Sequence, residues 1–171
     1  MNEESLDLLA QEFNIQGLLN RSMSKVLEKP ARKLFLLDLS RCHEIIDRPS
    51  PGSDASSTPV KKWSADCSGL TVMFSMVTVQ GVVIEVKDNG DCFLLDDGTA
   101  VAAVRGCKKI QFQTSKPVKG QYVMVVGQLL KTGQCPLLRA TKLQNLSHNV
   151  AMATIWPLEV IDGLQQNPDI T

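Results

Sequence analysis

The spacing of apolar positions changes twice along the chain. Near the N-terminus Leu6, Leu9 and Phe13 recur at intervals of three and four, which puts them on one face of a helix. Ser5 is placed to cap that helix, and Gly17 and Pro30 interrupt it. Residues 1–48 therefore read as a helical or poorly ordered extension. Residues 49–59, PSPGSDASSTP, form a Pro/Gly/Ser linker with little to bury. From Lys61 onward the period falls to two, as in strands.

Residues 72–86 are rich in β-branched side chains, with Gly81 where a long curved strand bends or bulges. Asp88-Asn89-Gly90-Asp91 predicts a tight turn with positive φ at Asn and Gly. A strand over 92–95 then turns at Asp96-Asp97-Gly98 into another over 100–104. After an irregular stretch to Pro117 comes a hairpin, GQYVMVVGQLLKTGQCPLLRATKL. Its Tyr122, Met124 and Val126 alternate with Val123 and Val125, so that strand is expected to be covered on both faces.

Beyond Asn145-Leu146-Ser147 the spacing returns to three at Ile155, Leu158 and Ile161, with Ser147 or Asn149 as the candidate cap. Pro157 either kinks this helix or sits in its first turn; a start near Ile155 or Trp156 is favoured. Five strands and a trailing helix predict a mainly β fold. It is a single oligonucleotide/oligosaccharide-binding (OB) barrel over 60–166 with a C-terminal helix. An SH3-like barrel is the alternative, and the trailing helix favours the OB reading.

Composition narrows the function. The 171 residues suit about one domain, and 43% apolar content supplies a core. Eighteen basic residues balance eighteen acidic ones, so no global field draws in nucleic acid. Five scattered cysteines without a CxxC pair, and an acidic N-terminus unlike an export signal, predict reduced thiols in a cytosolic or nuclear protein. No apolar run approaches membrane-spanning length.

Catalytic chemistry is not legible. His43 and His148 are the only histidines, and no HExxH, GxxxxGK[ST] or GxSxG occurs. Asp96-Asp97 suits a turn better than a metal. Single-strand binding needs exposed aromatics and a basic groove. Aromatics are 5% of the chain, and Phe74, Phe93 and Tyr122 lie in apolar strands. From Leu70 to Asp162, nine basic side chains face seven acidic ones, which reads as a solvated surface. Direct DNA binding is expected to be weak or absent, and a single-strand-binding module is the alternative function.

The terminal helix is the richest candidate. Ile155, Trp156, Leu158, Val160, Ile161 and Leu164 are more large apolar residues than docking on a small barrel requires. A partner surface anchored by Trp156 is the expectation, and a helix plugging its own barrel is the alternative.

An ordered series of motifs resembles the RecQ-mediated genome instability protein 2 family. Gly120-Gln121-Tyr122-Val123-Met124-Val125-Val126-Gly127 is similar to the fourth barrel strand of that family. Pro136-Leu137, Lys142-Leu143, Asn145-Leu146-Ser147 and Trp156-x-Leu158-Glu159-Val160 continue the likeness. Upstream, Gln80-Gly81-Val82-Val83 and Leu95-Asp96-Asp97-Gly98 also fit, although Thr78 stands where members often carry an aromatic. Pro59-Val60-Lys61 is preferred over Lys25-Val26-Leu27 as the family's short first strand, making 1–58 an appendage.

The resemblance implies a nuclear, non-enzymatic OB subunit without cofactor or metal. It would pair with the C-terminal OB domain of RecQ-mediated genome instability protein 1. The implied assembly includes topoisomerase III alpha and a Bloom-type RecQ helicase, and it dissolves double Holliday junctions in replication and repair. A Fanconi anaemia translocase peptide is a further implied partner. Implied contact residues are Trp156, Leu158, Val160, Ile161, Ile155 and Leu164, with Lys142 matching a family lysine and Lys61 beside the first strand.

Overall fold

The computed structural model describes residues 30–46, 61–110 and 116–166. Along the chain run β1 (Arg32–Lys33), α1 (Leu36–Ser40), β2 (His43–Ile45), β3 (Lys62–Cys67) and β4 (Leu70–Phe74). Then follow β5 (Val77–Lys87), β6 (Cys92–Asp96), β7 (Val101–Arg105), β8 (Tyr122–Lys131), β9 (Leu137–Asn145) and α2 (Val150–Gln166). The main sheet has the order β1-β5-β6-β7-β9-β8, and an added β5–β8 pairing closes five of these strands into a barrel. β7 and β9 are parallel, whereas the other barrel pairs are antiparallel. A closed five-strand barrel with its third and fifth strands parallel is the OB arrangement.

β5 is long because it serves two neighbours. Val77–Val82 pairs with β8, and Val82–Lys87 pairs with β6. Gly81 sits at that handover, where a Cβ would lie 2.5 Å from the Asp96 carbonyl oxygen. Gly127 occupies the bulge between β8 and β9, where a Cβ would lie 2.4 Å from the Arg139 carbonyl oxygen. The β5–β6 turn holds Asp88, Asn89 and Gly90 at φ of 51°, 55° and 89°. Short polar side chains and glycine tolerate this region best.

Two readings need correction. Residues 72–86 are not one strand: Val72 and Phe74 belong to β4, which pairs with β3, while β5 runs unbroken through Gly81. Inward-facing residues alternate as Val72, Phe74 and then Val77, Val79, so the phase slips by one at Ser75-Met76. That slip, rather than the glycine, marks the break.

Residues 30–46 are not part of a loose extension. β1 lies parallel to β5 with Arg32 beside Val77, and Leu34, Leu36 and Leu39 are fully buried in the core. Phe35, at the N-cap of α1, has no capping side chain, so acids elsewhere satisfy the first amides. Asp38 Oδ2 accepts from Phe35 N at 3.2 Å, and Asp97 Oδ2 accepts from Leu36 N at 2.8 Å. Thr132 Oγ1 donates to the Leu39 carbonyl at 2.8 Å, and Trp63 Nε1 donates to that of Leu129 at 2.9 Å. These bonds tie α1 and the β2-β3-β4 sheet to the barrel. The expectations at Leu6–Phe13, Lys25–Leu27 and 49–59 lie outside the described residues.

Candidate protein-docking site

α2 begins at Val150, well before Ile155, and Pro157 lies inside it. A proline there removes one helical hydrogen bond and crowds the Ala153 carbonyl, costing about 3 kcal/mol in an unsupported helix. Burial of one face offsets this. Trp156, Val160 and Leu164, at i, i+4 and i+8, are buried on β1 and β5 with only 3%, 0% and 8% exposure. Glu159 adds an ion pair to Lys33 of β1 at 3.1 Å.

The opposite face is open. Leu158 is 67% exposed, Ile161 47% and Ile155 39%, and Val150 extends the same apolar population toward the start of the helix. The six apolar residues expected to meet a partner thus divide by helical spacing. Ile155, Leu158 and Ile161 are available to one. Trp156, Val160 and Leu164 are core residues of their own barrel, so Trp156 packs inward rather than anchoring the partner surface expected of it.

Trp156 also lines a groove of about 470 Å³ with Pro157, Phe35, Val82, Tyr122 and Asp97. Its buried Nε1–H finds no acceptor among the described residues. Burial pushes the Tyr122 hydroxyl pKa up, and Asp97 and Glu159 add to the shift. Gln80, of the Gln80-Gly81-Val82-Val83 stretch, is buried with its Oε1 unpartnered among the described residues.

Neither lysine joins the helix face. Lys61 pairs with Glu44 at 2.9 Å and lies 5.5 Å from the Trp63 ring centroid, at the edge of the β2-β3-β4 sheet. Lys142 is exposed on β9 opposite Val126.

Asp96 and Asp97 are occupied by the turn. Asp96 Oδ1 accepts from Gly98 N at 2.8 Å. Asp97 Oδ1 accepts from Thr99 N, Thr99 Oγ1 and Ala100 N, at 2.9, 2.6 and 3.1 Å. With Leu36 on its other oxygen, Asp97 joins the β6–β7 turn to α1, a structural role that the dipeptide alone did not reveal. No group of three or more His, Cys, Asp or Glu poised for a metal occurs among the described residues.

The family model for RecQ-mediated genome instability protein 2 matches residues 30–164. The chain belongs to that family. The match takes in residues 31–46, so β1, α1 and β2 lie within the family domain together with the barrel. The Bos taurus RecQ-mediated genome instability protein 2 is 35% identical over 86 residues, 50% of this chain and 54% of that protein. The Gallus gallus protein is 34% identical over 85 residues, 49% of this chain and 62% of its own length. The alignments thus span only about half to three-fifths of these relatives. Among solved structures, a chain from "Structure and Conformational Change of a Replication Protein A Heterotrimer Bound to ssDNA" superposes with a TM-score of 0.54. It is 16% identical, and the match covers 81% of this chain and 98% of that one, a likeness of fold.

Proposed function

We propose that this protein is a non-enzymatic scaffold of genome maintenance, presenting the outer face of α2 to the C-terminal OB domain of RecQ-mediated genome instability protein 1. The observation that carries the reading is the division of α2 into a buried face and an exposed apolar one. Exposed Leu158 and Ile161 take no part in the core face of this helix, and a second apolar face favours association. Family membership supports a RecQ-associated complex as the setting. Within it the protein stabilises a Bloom-type RecQ helicase and topoisomerase III alpha for double Holliday junction dissolution in the nucleus. Lys142 and the Fanconi anaemia translocase peptide belong to the same proposal as secondary contacts.

The test is purification of tagged full-length protein from its own cells under mild salt, with identification of the bound subunits. Recovery of the OB partner, helicase and topoisomerase in stable proportion supports the reading. Recovery of none of them, or turnover of DNA or ATP that tracks with the protein and disappears on a point mutation, overturns it.

A further inference from the structure

Strand register assembles a second surface, at the opposite end of β6 from the groove beside α2. Lys87 of β5 stands opposite Cys92 of β6, Arg105 of β7 beside Arg139 of β9, and Arg139 opposite Gln128 of β8. Phe93 pairs with Val104, which puts Cys92 in line with Arg105. Phe93, Val104 and Leu138 are buried, so their chain neighbours point outward. One lateral row across five strands therefore reads Lys87, Cys92, Arg105, Arg139, Gln128. The adjacent outward row reads Glu85, Leu94, Ala103, Leu137, Lys131, its three central residues half-buried and its charged ends exposed.

The cations are close-set. Arg139 donates from its guanidinium to the Gln128 amide oxygen. Gly106 approaches the same arginine, since a Cβ there would lie 3.6 Å from Arg139 Cγ. Exposed Lys108 and Lys109 follow that glycine. Three acids border the patch. Glu85 pairs with Lys87 at 3.3 Å, Asp91 Oδ1 accepts from the Lys108 amide at 2.9 Å, and Asp88 lies beside Cys92. None of these bonds engages the Arg105 or Arg139 guanidinium.

Like charges directly opposite on neighbouring strands destabilise a sheet. Arg105 beside Arg139 is such a pair, and an oxyanion bridging them converts the repulsion into charge-assisted hydrogen bonds. The outward row beside them is apolar at its three central strands, flanked by Glu85 and Lys131, and has no aromatic side chain among the described residues. Base stacking therefore has no platform among the described residues of this face. A carboxylate-bearing chain with alternating apolar residues fits both rows.

We propose that the outer face of β6, β7 and β9 docks an acidic, amphipathic peptide of a partner protein, its carboxylates on Arg105 and Arg139 and its apolar side chains on Leu94, Ala103 and Leu137. This surface is separate from the α2 face and does not depend on it.

The experiment is fluorescence anisotropy on the full chain with a short labelled peptide alternating Glu and Leu. The same peptide with Gln for Glu and an oligothymidylate serve as comparisons. The expected result is that the Glu peptide binds, the Gln version binds at least tenfold more weakly, and added salt weakens the complex. Arg105→Ala/Arg139→Ala reduces binding more than tenfold while keeping the melting temperature. Leu137→Ser also weakens binding, and Lys119→Glu leaves it unchanged. The proposal is overturned if no peptide binds or if the double variant binds normally. Oligothymidylate binding more tightly than the peptide, with the same arginines required, also overturns it in favour of nucleic acid.

Discussion

Truncating Trp156 to alanine tests which face of α2 holds the fold. The side chain is 3% exposed, so almost all of its contact with the barrel is lost. Removing a buried tryptophan to alanine costs about 3–5 kcal/mol. Part of that returns, because the substitution also removes a buried Nε1–H with no acceptor among the described residues, a penalty of about 1–3 kcal/mol. The net loss centres on about 2 kcal/mol against a typical domain stability of about 5–15 kcal/mol. The melting temperature should fall by roughly 5–15 °C. Trp156→Phe keeps most of the ring and discards the unsatisfied donor, so its loss should stay at about 1 kcal/mol. Urea titration of wild type and both variants reads these differences from the midpoints. A Trp156→Ala midpoint equal to wild type refutes the packing argument, and a Phe variant as unstable as the Ala variant refutes the account of the orphaned donor.

Further outcomes follow from backbone contacts, the N-terminal elements and the thiols. Gly127→Ala places a Cβ 2.4 Å from a backbone oxygen and should lower stability by about 1–3 kcal/mol or shift the β8–β9 register, visible in chemical denaturation and amide exchange. A chain beginning at Lys61 lacks fully buried Leu34, Leu36 and Leu39, about 2 kcal/mol or more each, and should show little or no cooperative unfolding transition. Burial pushes the Cys42, Cys67 and Cys107 thiols up to about 12. The unfolded chain releases those protons first, so stability should fall as pH rises from about 9 toward 12, measurable as a declining urea midpoint. Native alkylation should mark exposed Cys135 and spare the buried three until denaturant is added.

Period-two alternation and turn residues made the barrel readable from sequence, because those signals are local. The two N-terminal strands were not readable. β1 spans Arg32–Lys33 and β2 His43–Ile45, too short for alternation to register, and β1 is defined by a parallel partner 45 residues downstream at Val77–Thr78. Leu36 and Leu39 keep helical spacing, but that helix lasts five residues. In α2 the abundance of large apolar residues was visible in the sequence, whereas their division was not. Spacing placed Ile155, Leu158 and Ile161 on one face and left open whether that face or Trp156 meets the barrel. Only packing on β1 and β5 decides it. The same holds for Arg105 and Arg139, unremarkable as counted charges until strand register brings them side by side.

The outer face of α2 is the surface proposed to meet the partner OB domain. Burying what remains exposed of Leu158 and Ile161 would contribute about 1–2 kcal/mol each, so losing both should weaken association roughly 30-fold or more. The most direct measurement is calorimetric titration of the C-terminal OB domain of RecQ-mediated genome instability protein 1 into wild type and into Leu158→Asp/Ile161→Asp, with the melting temperature of each free protein. Tight binding by wild type, loss of binding by the variant and nearly equal melting temperatures are expected. Equal affinity for both proteins would contradict this role of the face.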